Sequence, residues 1–167
     1  MEINRLFKST NKKFFYVTKI ERVQNPYLMA AFILKMEELE QRIGREPEIQ
    51  TLFHGTKTAH RNSICCNNFD WRLHGQNCGF KFGKGVSFTP ISNYATHYGD
   101  EVDANNTMFV VKVLVGLTCE GRQNMALPPP GYDTTQKKNG HVLVKYEDNE
   151  YYPEYIITYG NYSSCVN

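Results

Sequence analysis

The spacing of apolar residues predicts a strand followed by a helix in the first quarter of the chain. Residues 14–23 (FFYVTKIERV) are mostly β-branched and aromatic, which favours a strand, and no element is expected before it. Asn25 and Pro26 suit the cap and first turn of a helix, and Gly44 suits its end. The apolar positions between them recur every three or four residues and predict one buried helix face: Met29, Phe32, Met36, Leu39 and Ile43.

The strongest strand signal lies in the second half of the chain. Residues 108–115 (MFVVKVLV) form a nearly continuous apolar run, which predicts a strand in a central position of a sheet. Other expected strands are 51–54, 85–88, 142–146 and 155–159; expected helices are 58–67 and 92–98; expected loops and turns are 68–84, 128–131 (PPPG) and 148–150. One helix comes early and strands dominate late. The pattern predicts an α+β fold, and the length predicts one domain over residues 1–167.

Charge and hydropathy narrow the classes of protein. The formal net charge is only +2, so we do not expect direct binding of nucleic acid. Cationic residues crowd the N-terminal segment, where they form either a solvated edge or a basic docking face: Arg5, Lys8, Lys12, Lys13 and Lys19. No apolar run is long enough to cross a membrane and no signal peptide is evident, which predicts a cytoplasmic or nuclear protein without membrane partners.

The five cysteines do not predict a metal site or a disulfide framework. Cys65 and Cys66 are adjacent, and no pair has the spacing usual for zinc ligands. Free thiols in a reducing compartment are the expected state, and a zinc site of Cys65, Cys78 and a histidine is the less favoured alternative.

Two short motifs carry most of the chemical information. Residues 52–56 (LFHGT) combine a histidine, a glycine and a hydroxyl, and residues 83–88 (GKGVSF) follow about thirty positions later. A histidine in a strand is most often a core residue, but Gly55 leaves backbone accessible for a flat ligand that carries an amide. The second motif lacks the remaining residues of a phosphate-binding P-loop. Together the two motifs predict a site for a nucleotide-like ligand.

These motifs lie in an ordered series that resembles the catalytic domain of the poly(ADP-ribose) polymerase family, and most closely its mono-ADP-ribosylating branch. The matching segments are 22–26 (RVQNP), 52–56, 64–65, 68–72 (NFDWR), 82–85 (FGKG), 108–109, 113–116, 128–130, 132–133 and 152–155 (YPEY). The resemblance implies the fold of that family, with mostly antiparallel sheets and a few flanking helices. It also implies that NAD is the substrate and that no metal is needed.

The resemblance assigns roles to individual positions. It implies that His54 binds a ribose hydroxyl of NAD, that Gly55 holds the nicotinamide carboxamide through its backbone, and that Thr56 lies beside them. Tyr98 takes the position of a tyrosine that stacks on nicotinamide, and Arg72 that of a contact to the adenosine end. Gly85 belongs to the second motif and is expected at the same ligand.

Three positions depart from the family pattern. The tyrosine of the catalytic triad is Ser87, the serine that bonds the carboxamide is Ala95, and the glutamate of chain-elongating members is Val142. Losing a ring stack and a hydrogen bond costs on the order of 1 kcal/mol each. Neighbouring Tyr94 offers a substitute ring.

The sequence therefore predicts an NAD-dependent mono-ADP-ribosyltransferase that modifies protein side chains, itself included, without elongating a chain. The alternative is a catalytically weak or silent relative that keeps the fold as a binding module.

Overall fold

The computed structural model describes residues 2–11, 15–73, 81–100 and 105–161. The helices of this part are α1 (Glu2–Ser9), α2 (Pro26–Ile43), α3 (Arg61–Asn67) and α4 (Ser92–Ala95), with 3₁₀ turns at Thr58–His60, Trp71–Leu73 and Thr96–Tyr98. The strands are β1 (Phe15–Arg22), β2 (Glu48–Thr56), β3 (Val86–Phe88), β4 (Asn106–Val115), β5 (Thr118–Glu120), β6 (Thr134–Gln136), β7 (Leu143–Lys145) and β8 (Tyr151–Asn161). Within these ranges no helix has both the length and the apolar character required to span a bilayer.

The strands form two four-stranded sheets. The large sheet has the order β1–β8–β4–β2 and is antiparallel throughout. The small sheet has the order β3–β7–β6–β5 and is antiparallel except for the β5–β6 pair. The predicted α+β fold with mostly antiparallel sheets is confirmed.

Strand β4 is the centre of the core. It lies between β8 and β2, and nine of its ten residues are buried, with only Lys112 half-buried. Phe109 and Val111 face the cluster between the two sheets, whereas Met108 and Val110 pack toward α1 and Leu114 packs toward α2. Burial on both faces explains why its sequence is almost continuously apolar.

Helix α2 has the predicted boundaries. The Asn25 side chain accepts a hydrogen bond from the Leu28 N–H at 3.2 Å, and Gly44 ends the helix with a φ of 73°. The same Asn25 side chain donates to the Cys65 carbonyl at 3.0 Å, which ties the start of α2 to α3.

The predicted start of the chain is wrong, because helix α1 precedes the first strand. Ile3, Leu6 and Phe7 have helical spacing, and they pack against β1 and Tyr159, while Arg5 and Lys8 of the same helix are exposed. The apolar spacing was the usable signal, and the surrounding charges obscured it. Strand β8 is also longer than expected, because Pro153 is accommodated where a β-bulge interrupts the β4–β8 register.

One bridge joins the two sheets and creates the site. The Phe53 N–H donates to the Thr89 carbonyl at 2.7 Å, and the Thr89 N–H donates to the Phe53 carbonyl at 3.0 Å. Edge strand β2 is thereby held beside the end of β3. This contact brings the two sequence motifs together.

Candidate active site

A cavity of about 600 Å³ lies where the two sheets meet. Its size is typical of ligand sites. All nine residues that the sequence assigned to a site line it: His54, Gly55, Thr56, Arg72, Gly85, Ser87, Tyr94, Tyr98 and Val142. Ala95 lines it as well. The structure thus brings the predicted residues together, while their individual roles stay predictions.

His54 is held as a neutral imidazole. Its Nδ1 lies 3.0 Å from the Ser87 carbonyl oxygen, which can only accept, so Nδ1 carries the proton and Nε2 is left as an acceptor. Burial lowers the pKa of His54 from 6.5 to about 4, against the opposing effect of the Ser87 carbonyl. An imidazole in this state can accept a hydrogen bond from a hydroxyl group of a ligand.

Two aromatic rings that the motif analysis did not assign to the site fix the plane of His54. Phe69 packs edge-on against the imidazole with ring centres 4.7 Å apart, and Phe88 lies at 5.7 Å. Phe69 is positioned by buried Asn68, which takes a positive φ of 68° and donates to the Tyr151 carbonyl at 3.0 Å. Aromatic residues are so common in this chain that the sequence alone did not single out these two.

Gly55 serves packing as well as ligand access. A Cβ at this position would lie 1.8 Å from the Ala95 carbonyl oxygen, so helix α4 can sit against β2 only if residue 55 is glycine. Phe53 uses its outward backbone groups to bond Thr89, and outward groups alternate along an edge strand. The N–H and C=O of Gly55 therefore face the same outer side, where the cavity lies.

The opposite wall, from the small sheet, offers little polar chemistry. Ser87 is half-buried and pairs with Val144, and Val142 is 3% exposed just before β7. Gly85 is required here too, because a Cβ would lie 2.1 Å from the Lys145 carbonyl oxygen. Neither Ser87 nor Val142 supplies a ring or a carboxylate to the cavity.

Two tyrosines close one end of the cavity. The rings of Tyr94 and Tyr98 are 5.9 Å apart at 54°, and their hydroxyl oxygens are 3.5 Å apart. Tyr94 packs against the cluster of Val142, Val144 and Tyr146 on the small-sheet side. Its ring therefore lies on the same wall as Val142. Thr56 is buried at the end of β2, opposite Thr107.

Arg72 lies at the cavity mouth and is held by carboxylates. Its guanidinium forms a two-point contact with Asp148, at 3.0 and 2.7 Å, and a further contact of 3.2 Å with Asp70. It also lies over the Trp71 ring at 4.8 Å. Asp148 belongs to the turn after β7, and no sequence signal linked it to Arg72.

The described residues contain no group of three His, Cys, Asp or Glu side chains that could hold a metal ion. The alternative zinc site involved Cys78, which lies outside the described residues.

Comparison with known proteins assigns the family. Residues 1–150 match the model of the poly(ADP-ribose) polymerase catalytic domain. The chain belongs to this family. It is 34% identical over 156 residues to human protein mono-ADP-ribosyltransferase PARP12 and 30% identical over 189 residues to human PARP11. It is 29% identical over 158 residues to human PARP14.

The alignments cover most of this chain but only part of each relative. They include 87%, 95% and 87% of the chain, and 22%, 55% and 9% of PARP12, PARP11 and PARP14 respectively. The predicted resemblance to the family is confirmed.

Proposed function

We propose that this chain transfers a single ADP-ribose unit from NAD to protein side chains, itself included, and that residues 1–167 form one such catalytic domain. The observation that carries the proposal is the position of His54, with Nδ1 bonded to the Ser87 carbonyl, beside the open edge of Gly55 in a cavity of about 600 Å³. The names of the relatives, each a mono-ADP-ribosyltransferase, support it.

In the proposed reaction His54 Nε2 accepts a hydrogen bond from a ribose hydroxyl, and the Gly55 backbone holds the carboxamide of nicotinamide. Tyr98 and Tyr94 provide ring surfaces, and Arg72 binds toward the adenosine end. The bond between the ribose carbon and the pyridinium nitrogen breaks, and its electron pair stays on nitrogen, so nicotinamide leaves neutral. A nucleophilic atom of the acceptor forms the new bond to that carbon and releases to the solvent any proton that it carried. The site contributes mainly orientation and electrostatic support.

Transfer of one unit fits the residue at the third triad position. Val142 has no carboxylate that could activate a ribose hydroxyl for elongation.

A second candidate function is a binding module that holds NAD or a protein without turnover. Ser87 and Ala95 favour it, since both positions lack the group that the family uses. Binding and turnover are therefore measured separately.

The test uses labelled NAD and the full chain. We expect NAD to raise the melting temperature, because it binds the folded state, and we expect weak automodification. His54→Ala should lower both binding and labelling about thirtyfold, the effect of losing about 2 kcal/mol of hydrogen bonding. His141→Ala is the matched control, since His141 is exposed, does not line the cavity and has its imidazole against Asn139. Labelling that is indifferent to His54 would contradict the proposal, and a thermal shift without labelling would support the binding module.

A further inference from the structure

Three loops of the small-sheet side converge on Phe82. The Gly121 N–H donates to the Gln136 carbonyl at 2.9 Å, and the Thr135 hydroxyl donates to the Phe82 carbonyl at 2.7 Å. Lys84 N–H donates to the Met125 carbonyl at 2.9 Å. Segments 81–85, 120–125 and 136–142 therefore form one continuous surface.

This surface, called the basic rim here, concentrates positive charge. It contains one acidic residue, Glu120, and five cationic residues. The cationic residues are Lys81, Lys84, Arg122, Lys137 and Lys138. Because the whole chain has a net charge of only +2, the remainder of the chain is on balance acidic. Lys81, Arg122 and Lys138 are exposed, and within the described ranges they and Lys137 form no ion pair.

The basic rim adjoins the cavity on its small-sheet side. The Lys137 N–H donates to the Val142 carbonyl at 2.9 Å, and Phe82 packs in the same cluster as Val142 and Tyr94, both of which line the cavity. At the Arg72 mouth, by contrast, Asp70 and Asp148 neutralise the arginine. The cavity is therefore bordered by excess positive charge at the basic rim, and by an arginine paired with carboxylates at the Arg72 mouth.

We propose that the basic rim docks an acidic segment, rich in Asp and Glu, of the protein that receives ADP-ribose. The proposal rests on the proposed function and names the class of acceptor. The exposed cations Lys81, Arg122 and Lys138 attract a segment of opposite charge and orient it as it approaches. Single-stranded RNA fits less well, because such sites add rings for base stacking. Phe82, the single aromatic residue of the three segments, is half-buried, with the Lys137 ammonium 5.9 Å from its ring centre.

The test uses fluorescence anisotropy to measure binding of a labelled glutamate-rich peptide. A peptide with glutamine in place of each glutamate is the control. The rim variant carries Arg122→Glu, Lys137→Glu and Lys138→Glu together. The control variant carries Arg5→Glu and Lys8→Glu, which reverse two exposed charges on α1. We expect the rim variant to raise the Kd for the acidic peptide about tenfold, the control to leave it unchanged, and salt to weaken wild-type binding.

A transfer assay connects docking to the reaction. In the rim variant the KM for the acidic peptide should rise, while the NAD-dependent thermal shift stays at the wild-type value and shows an intact fold. Equal binding of the two peptides, or wild-type affinity in the rim variant, would overturn the proposal. Rim-dependent binding of a single-stranded RNA that exceeds peptide binding would also overturn it. Peptide binding needs no NAD, so a chain without transferase activity tests this proposal independently.

Discussion

The two walls of the cavity carry unequal amounts of chemistry. The large-sheet wall offers a neutral His54, the backbone edge of Gly55 and the buried Thr56. The small-sheet wall offers Ser87 and Val142, where the family pattern has a tyrosine and, in chain-elongating members, a glutamate. Polar groups that face the cavity are therefore present on one side, while the other side has neither the ring nor the carboxylate of the family pattern.

This difference means that side chains of the small-sheet wall can change without changing the polar groups of the large-sheet wall. Hydrogen bonds from the large-sheet wall do not depend on the residues of the small-sheet wall, except for the Ser87 carbonyl that fixes the His54 tautomer. A backbone carbonyl is supplied by any residue at position 87. The His54 geometry therefore does not depend on which side chain stands at position 87, and this explains how the two walls can diverge.

The largest expected effect comes from breaking the contact between helix α4 and the large-sheet wall. Gly55→Ala places a Cβ 1.8 Å from the Ala95 carbonyl, which must displace the helix that carries Tyr94. We expect the free energy of unfolding to fall by about 3 kcal/mol. We also expect NAD binding to be lost. Chemical denaturation and the NAD thermal shift measure the two effects.

Gly131→Ala is the control for that experiment. Gly131 has a φ of +89° but nothing within 4 Å of its Cβ position, so this variant costs only about 1 kcal/mol of backbone strain and retains NAD binding. Gly55 itself has no positive φ, so equal losses in the two variants would show that the close approach of α4 costs no more than backbone strain at an exposed turn.

A smaller effect is expected from restoring the small-sheet wall. Ser87→Tyr returns a ring to the cavity without changing the carbonyl that bonds His54. Stacking is worth on the order of 1 kcal/mol, so automodification should rise about fivefold to tenfold. Combination with His54→Ala should abolish the gain, whereas a gain that persists without the imidazole would mean that the two walls do not act on one ligand.

The smallest expected effect is that of pH on the large-sheet wall. Because burial lowers the pKa of His54 to about 4, the imidazole stays neutral where an ordinary histidine, with a pKa of 6.5, gains a proton. NAD binding measured by thermal shift should therefore show no step from His54 between about pH 8 and pH 5. A step near pH 6.5 that is lost in His54→Ala would contradict the lowered pKa of His54.

The same shift sets a direction for stability. The folded state binds a proton at His54 less readily than the unfolded chain does. The contribution of His54 to stability is therefore complete above pH 6.5, the ordinary histidine pKa, and is lost as the pH falls toward 4.

Local signals in the sequence predicted the elements that depend on local chemistry. Helix α2 was predictable from Asn25, Pro26 and Gly44, and strand β4 from its continuous apolar run, because capping and two-sided burial leave direct marks on the sequence. Strands β5 and β6 have three residues each and were not predicted, since so short a segment acquires its conformation from its neighbours.

The residues of the site were predictable as types, through the two motifs and the family resemblance, but their supporting contacts were not. Asp148 holds Arg72 across 76 positions of the chain, and Phe69 orients His54 from a different element. Such pairs leave no local pattern in the sequence, because the residues between the two partners do not specify the contact. The intervening chain affects only the entropy of closing the loop that joins them.

The sequence by itself determined the α+β class, the family and nine of the residues that line the cavity. Only the tertiary structure decided that the Phe53–Thr89 bridge brings His54 to the Ser87 carbonyl, and thereby which nitrogen of the imidazole carries the proton. It also decided that Gly55 is required by helix α4. The sequence specifies the type of each side chain. Its burial and the hydrogen-bond partner of each polar atom are determined only when segments distant in the sequence come into contact.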